Sequence, residues 1–179
     1  SKSLNPHDAN DSQKAEPGDK DVHVNGQCLC GKTQFVITEM PNLYQCHCQL
    51  CQKQGGSISN TATIISRHKF EWIERGKVGS YKKDTGFTSE FCIHCGCPVP
   101  NQLRNTDYVW VPAGALDFND MNNHSSNKLH ASEYERPKIV AHIYMDSKAP
   151  WDSHHYQGEK YPEMPSLERL VTILHADDH

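Results

Sequence analysis

The sequence predicts an all-β fold of short strands with a short C-terminal helix. Three observations carry this prediction. Short runs of alternating apolar and polar residues follow one another through most of the chain, and little of it has helical spacing. Eight cysteines in three tight clusters interrupt these runs. The length of 179 residues is sufficient for one domain with a sizeable core plus terminal extensions.

The amino-terminal residues 1–20 are predicted to form a disordered tail. Their apolar side chains are small or widely spaced, at Leu4, Ala9 and Ala15, and the rest of the segment is polar or proline. Such a segment buries too little apolar surface to offset the entropy lost on ordering. We therefore expect the folded domain to span residues 21–160, followed by a C-terminal extension over residues 161–179.

Eight segments have the composition and alternation of β-strands, with β-branched and aromatic residues between polar ones. The predicted strands lie near residues 22–24, 33–38, 61–66, 70–73, 79–82, 88–91, 107–111 and 138–144.

Helix is predicted in two places. Residues 49–54 are expected to form one helical turn, and Leu167, Leu170, Val171 and Leu174 have the i, i+3, i+4, i+7 spacing of an amphipathic helix. Ser166 is a suitable N-cap for this second helix. The polar segment 117–132 is predicted to be a long loop.

The cysteine clusters have the spacing of zinc ligands. They read Cys28-Leu-Cys30, Cys46-His-Cys48-Gln-Leu-Cys51 and Cys92-Ile-His-Cys95-Gly-Cys97. Cysteines one to three residues apart can direct their sulfurs at one tetrahedral ion. A disulfide framework is the alternative, but it requires an oxidising compartment, and no secretory signal is recognisable. A redox role for Cys92-x-x-Cys95 lacks the βαβ context of thioredoxin-like proteins.

Charge and hydropathy disfavour two classes of partner. The 18 lysines and arginines are outnumbered by 22 acidic residues, giving a net charge of -4, and no long basic run occurs. We therefore expect no nucleic acid and no anionic membrane as partner. No apolar stretch approaches the length of a membrane span. A cytoplasmic location is expected, and an oligomer is compatible with the sequence.

Five segments in this order resemble the glutathione-dependent formaldehyde-activating enzyme family, also called the centromere protein V family. They are GQCLCGKTQF, YQCHCQLCQKQGG, FCIHCGCPVP, VPAGALD and AHIYMDSKAPW, and the resemblance runs from about Val24 to Trp151. It implies an Mss4-like fold with two zinc ions. The structural zinc would be held by Cys28, Cys30, Cys92 and Cys95, and the catalytic zinc by Cys46, Cys48 and Cys51.

Three thiolates leave one coordination position open, as a catalytic zinc requires. The predicted function is a zinc-dependent carbon-sulfur lyase or thiol-adduct synthase, similar to an S-hydroxymethylglutathione synthase. Its partner would be glutathione, another small thiol or an adduct of one. The formaldehyde enzyme has Cys-Gly-Cys-x-x-Cys where this chain has Cys-His-Cys-Gln-Leu-Cys, so other thiol adducts remain candidate substrates. The alternative is a non-catalytic zinc-stapled binding or scaffold module.

Five further residues are singled out by their neighbours. Cys97 is either a fourth ligand that closes the second site or, as we favour, a buried free thiol. His47 lies between two cysteines, and its ring is expected to point away from their sulfurs. His142 lies in an apolar run, where it is either a core residue or an acid or base. The resemblance makes it the predicted catalytic residue. Tyr44 and Trp151 are candidate pocket walls, or parts of a small core.

Overall fold

The computed structural model describes residues 22–118 and 136–176. The predicted tail, residues 1–20, and nearly all of the predicted loop 117–132 lie outside these ranges. The described part is built mainly of strands with two short helices, so the prediction of an all-β fold with a C-terminal helix is confirmed.

The described residues contain eleven strands. Each of the eight predicted strands is present, with ends that lie within three residues of the predicted ones. The strands are β1 (Val24–Gln27), β2 (Gln34–Ile37), β3 (Leu43–Cys46), β4 (Asn60–Ser66), β5 (Phe70–Glu74), β6 (Val78–Lys82), β7 (Thr88–Cys92), β8 (Asn101–Gln102), β9 (Tyr108–Pro112), β10 (Ile139–Ile143) and β11 (Glu159–Lys160).

Three strands were not predicted, for two different reasons. β3 is buried on both faces, so its residues do not alternate between apolar and polar. β8 and β11 have two residues each, which is too short for any period to be recognised.

The strands form one large sheet and two small ones. The six-stranded sheet has the order β11-β10-β3-β4-β9-β8. In it β10 pairs in parallel with β3 and β11, and the other neighbours are antiparallel. A three-stranded sheet has the order β1-β2-β5, and β6 and β7 form a hairpin. The parallel pairing of β3 with β10 joins segments that are far apart in sequence.

Both predicted helices are present. Helix α1 (Gln49–Gly55) begins after Cys48, whose side chain accepts a hydrogen bond from the Cys51 amide. Helix α2 (Leu167–His175) is capped by Ser166, whose hydroxyl oxygen accepts from the amide of Arg169 at 3.1 Å. Leu170 and Leu174 are fully buried in the cluster that covers the central sheet. The apolar stripe of α2 therefore completes this core.

The core has three parts. One lies between the central sheet and the helices, and a second between the central sheet and the three-stranded sheet. A third, much smaller cluster surrounds Cys28, Cys92 and Val99. Across the described ranges, no helix is long and apolar enough to cross a membrane.

Candidate metal centres

The first cysteine cluster joins two turns that are distant in sequence. Cys28 and Cys30 follow β1, while Cys92 ends β7 and Cys95 lies in the turn after it. The four sulfur atoms all lie within 4.8 Å of one another. The Sγ atoms of Cys28 and Cys30 are 3.6 Å apart, and those of Cys30 and Cys92 are 3.8 Å apart.

These distances fit a tetrahedral ion. With metal-sulfur bonds of about 2.3 Å, two ligands of a tetrahedron are separated by about 3.8 Å. A disulfide would require a sulfur separation of about 2.05 Å. All eight cysteines are free thiols, so the disulfide framework considered from the sequence is not present.

Each turn of the first cluster depends on a glycine. Gly31 has a φ of +79° and Gly96 a φ of +72°, a region that side chains disfavour. The reversal at Gly96 lets its amide donate to the Cys92 carbonyl at 2.7 Å. In the first turn, the amide of Thr33 donates to the sulfur of Cys28 at 3.4 Å. Amide donors of this kind stabilise a thiolate.

The second cluster comes from one short segment. Cys46 ends β3, Cys48 is the N-cap of α1, and Cys51 lies in the first turn of α1. Their three sulfurs lie within 4.8 Å of one another, and among the described residues no fourth His, Cys, Asp or Glu joins them. This cluster therefore offers three ligands and the first cluster offers four.

Hydrogen bonds among the thiols hold negative charge in both clusters. Bonds from Cys46 and Cys51, with the amide of Cys51, lower the pKa of Cys48 to about 2. Burial opposes ionisation of Cys28, but the amide of Thr33 and the neighbouring thiols outweigh it and lower its pKa to about 6. Ionised thiols are the form that binds a metal.

Cys97 belongs to neither group of ligands. It packs beside the first cluster, half-buried, and its Sγ donates to the carbonyl of Pro98 at 3.4 Å. Burial and the neighbouring thiolates raise its pKa, so it is held as a neutral thiol. It is not among the residues around the second cluster, where it was considered as a fourth ligand.

A cavity of about 440 Å³ adjoins the second cluster, whose three cysteines form part of its wall. The central sheet supplies its floor, the hairpin between β6 and β7 and the turn after β8 form its rim, and α1 closes one side. Described side chains that line it include Tyr44, Ile64, Phe87, Arg104, Trp110 and Tyr144.

Two tyrosines of this wall remain protonated. Burial, and then the charge of Cys46, raise the pKa of Tyr44 well above its usual range. The same two causes raise the pKa of Tyr144. Tyr144 also has left-handed backbone angles, φ 58° and ψ 42°, which are uncommon outside glycine and often found at functional sites. Both phenols can therefore donate a hydrogen bond toward the cavity.

The position of Tyr144 follows from strand pairing. β10 runs parallel to β3, and Ile143 pairs with Cys46. The amide of His47 donates to the carbonyl of Ile143 at 3.0 Å. Tyr144, the next residue, is thereby brought beside the cysteines. Nothing in the local sequence indicated this, because the two segments are nearly one hundred residues apart.

A buried histidine pair lies behind the second cluster. His47 Nε2 and His142 Nδ1 are 3.1 Å apart, and His142 Nε2 is 2.9 Å from the carbonyl oxygen of Gln157. Since a carbonyl only accepts, His142 donates from Nε2 and accepts at Nδ1 from His47. Burial lowers the pKa of both histidines, so both are neutral.

This arrangement leaves His47 Nδ1 buried without a hydrogen-bond partner, 4.0 Å from Asp152 Oδ2. Because His47 is neutral, the contact is not an ion pair. Asp152 instead accepts from the Tyr156 hydroxyl at 2.5 Å. The ring of His47 points toward this network, as expected, and among the described residues neither histidine lines the cavity.

The two predicted pocket walls are separated. Tyr44 lines the cavity beside the cysteines, but Trp151 is 68% exposed and lines a different surface depression, together with Lys53. Tyr144, Trp110 and Arg104 were not predicted to line the site. The local signals at these positions were the predicted strands 107–111, which contains Trp110, and 138–144, which ends at Tyr144.

The fold and the cysteine groups define a class of protein: a β-domain with one four-cysteine and one three-cysteine group, each able to bind a metal. Residues 23–134 match the family model described as glutathione-dependent formaldehyde-activating enzyme. The match covers more than half of the 179 residues, so the chain belongs to this family. A search of curated proteins gave no match.

Proposed function

We propose that this protein is a zinc-dependent carbon-sulfur lyase or thiol-adduct synthase acting at the three-cysteine cluster. The observation that carries this proposal is the cavity whose wall contains Cys46, Cys48 and Cys51. A purely structural metal site needs no such cavity. Family membership supports an enzymatic role, because the family includes enzymes that act on glutathione and formaldehyde.

The proposed zinc ligands follow from the sulfur geometry. Cys28, Cys30, Cys92 and Cys95 would hold a structural ion with four thiolates, while Cys46, Cys48 and Cys51 would hold the second with three. A zinc ion held by Cys46, Cys48 and Cys51 would leave a position for a further thiol and would favour the thiolate form of that thiol. Other residues of the chain would bind the second reactant and transfer the proton.

In the synthase direction, the sulfur of a thiol forms a bond to the carbon of an aldehyde, and the proton lost from sulfur is balanced by one gained on oxygen. In the lyase direction the same carbon-sulfur bond breaks and the oxygen loses its proton. Tyr144 is the proposed donor to this oxygen, because its phenol lines the cavity and stays protonated beside the cysteines. Tyr44, which lines the same cavity, is almost fully buried.

His142 remains a predicted catalytic residue. It is hydrogen-bonded to His47 and Gln157, so it would influence the reaction through the Cys46-His47-Cys48 segment. We propose that the histidine pair positions this segment. Gln52 supports the same segment, since its side-chain amide donates to the His47 carbonyl at 2.7 Å. A small thiol as partner and a cytoplasmic location are part of this proposal.

The test is the rate of S-hydroxymethylglutathione formation from glutathione and ¹³C-formaldehyde, followed by exchange NMR and compared with the spontaneous reaction. We expect the zinc-loaded protein to raise the exchange rate. Cys48→Ser should abolish the increase, whereas Cys97→Ser, a matched loss of a thiol outside the cavity, should retain it. If the protein accelerates adduct formation neither from glutathione and formaldehyde nor from other thiols and aldehydes, the zinc-stapled binding module becomes the better description.

A further inference from the structure

The cavity beside the second cluster contains one charged side chain besides the cysteines. Among the described lining residues this is Arg104, which lies in the turn between β8 and β9. Arg104 is exposed, and it has no ion-pair partner in the described part of the chain. A guanidinium group in this state is available to bind a carboxylate from a ligand through two parallel hydrogen bonds.

Three polar side chains of the wall, those of Gln54, Asn60 and Gln102, already have partners. The Asn60 amide donates to Gln54 Oε1 at 2.5 Å, and Gln54 in turn donates to the Ser89 hydroxyl at 3.0 Å. Gln102 donates to the carbonyl of Thr106 at 2.7 Å. These hydrogen bonds reduce the number of amide donors that Gln54, Asn60 and Gln102 can offer to a peptide ligand.

Much of the remaining wall is aromatic or aliphatic. Phe87 and Leu103 lie at its rim, Trp110 and Ile143 at its floor, and Leu50 on its α1 side. A glutathione adduct carries two carboxylates, an ammonium group and two peptide bonds, and burying these groups without partners costs free energy. The aromatic and aliphatic wall instead favours an apolar substituent of aromatic size.

We propose that the cavity binds a thiol, or its adduct, that carries a single carboxylate and an apolar group of aromatic size. The carboxylate lies on Arg104, the apolar group lies against Phe87 and Trp110, and the sulfur faces the three cysteines. This inference rests on the proposed function, because it places the sulfur at that site. It goes beyond the proposed function in one respect: the cavity prefers a thiol that is more apolar and less charged than glutathione.

The test is isothermal titration calorimetry of the zinc-loaded protein with four thiols. They are 2-benzyl-3-mercaptopropanoate, its methyl ester, 3-mercaptopropanoate and glutathione. We expect the first to bind at least about tenfold more tightly than each of the others, because it alone combines the carboxylate with the benzyl group and lacks the peptide.

Two variants separate the contribution of the carboxylate to binding from that of the apolar group. Arg104→Met should remove the preference for the acid over its methyl ester and leave the affinity for the ester unchanged. Phe87→Ala should weaken binding of the benzyl compound while leaving 3-mercaptopropanoate unaffected. Lys53→Met is the matched control, since Lys53 is a cation on α1 that lines a different depression. Thermal unfolding of each variant shows whether it is folded.

The outcomes distinguish this inference from the proposed function. Equal affinities for all four thiols, tighter binding of glutathione, or equal weakening of acid and ester by Arg104→Met would overturn the inference and leave a thiol site in place. If none of the thiols binds, both proposals fail.

Discussion

Tyr144 combines an unusual backbone conformation with a position in the cavity wall. Its φ of 58° follows directly after β10, and it turns the chain so that its side chain lines the cavity beside Cys46 and Cys48. A left-handed non-glycine residue costs of order 1 kcal/mol, so the surrounding structure must hold it there. The hydrogen bond from its amide to the carbonyl of Glu163, at 3.0 Å, contributes to this.

Tyr144→Phe tests the proposed proton donor. The substitution keeps the ring and removes only the hydroxyl, so we expect kcat for adduct formation or cleavage to fall roughly 100-fold with little change in KM. Metal content and melting temperature should remain as in the unsubstituted protein. Tyr81→Phe is the control, because Tyr81 is exposed on β6. Equal activities of the two variants would exclude Tyr144 as the donor.

At the level of elements, helix α2 is attached to the sheets by a charged pair as well as by its leucines. The Nδ1 atom of His175 lies 2.6 Å from Glu39 Oε1, and its Nε2 atom lies 3.0 Å from the carbonyl oxygen of Ile64. Both partners only accept, so both ring nitrogens donate and His175 is protonated. The hydrogen bond to Glu39 raises the pKa of His175, and the same bond lowers that of Glu39.

The pair makes stability depend on pH in a defined window. The Glu39 contribution is present above its ordinary pKa of 4.5 and is lost as the pH falls through its lowered value. The His175 contribution is present below its ordinary pKa of 6.5 and is lost as the pH rises through its raised value. The pair therefore stabilises the protein most between about pH 4.5 and pH 6.5.

His175→Gln should reduce the free energy of unfolding by about 1 to 2 kcal/mol near pH 5.5 and by less at pH 9, measured by urea unfolding. The exposed His155 provides the control, and His155→Gln should have no effect at either pH. A loss that is the same at both pH values would show that His175 is not protonated in the folded protein.

For the whole molecule, the two cysteine groups differ in the length of chain that they close. The first joins Cys30 to Cys92, which are 62 residues apart, and so links the three-stranded sheet to the β6-β7 hairpin. The second draws all its ligands from residues 46–51. A metal that closes a long loop stabilises the fold more, because it removes more entropy from the unfolded chain.

Removal of metal should therefore affect folding mainly through the first group. We expect a strong chelator to lower the melting temperature by more than about 10 °C, measured by circular dichroism. Cys30→Ser should reproduce most of this decrease and lose one zinc. Cys48→Ser should lose activity, with a smaller decrease in the melting temperature. Equal unfolding by both substitutions would contradict the division into a structural and a catalytic site.

Much of the fold was predictable from local sequence. Strand alternation identified eight strands, and the spacing of Leu167, Leu170 and Leu174 identified α2. The division of the cysteines into four and three was implied by the family resemblance, and the described structure has the same groups. Neighbouring cysteines must lie close together because their separation along the chain is only a few bonds. Periods and short spacings are local properties, so the sequence alone determines them.

The cavity and the histidine pair depended on the tertiary structure. Strands β3 and β10 pair in parallel across nearly one hundred residues, and this pairing alone brings Tyr144 to the cysteines and His142 to His47. The turn that carries Arg104 reaches the same cavity from a third part of the chain. Alternation indicates which face of a strand is buried, but it does not specify which strand lies beside it. The packing energy of the whole core selects the order of the strands in the sheet, and so decides which strands are neighbours.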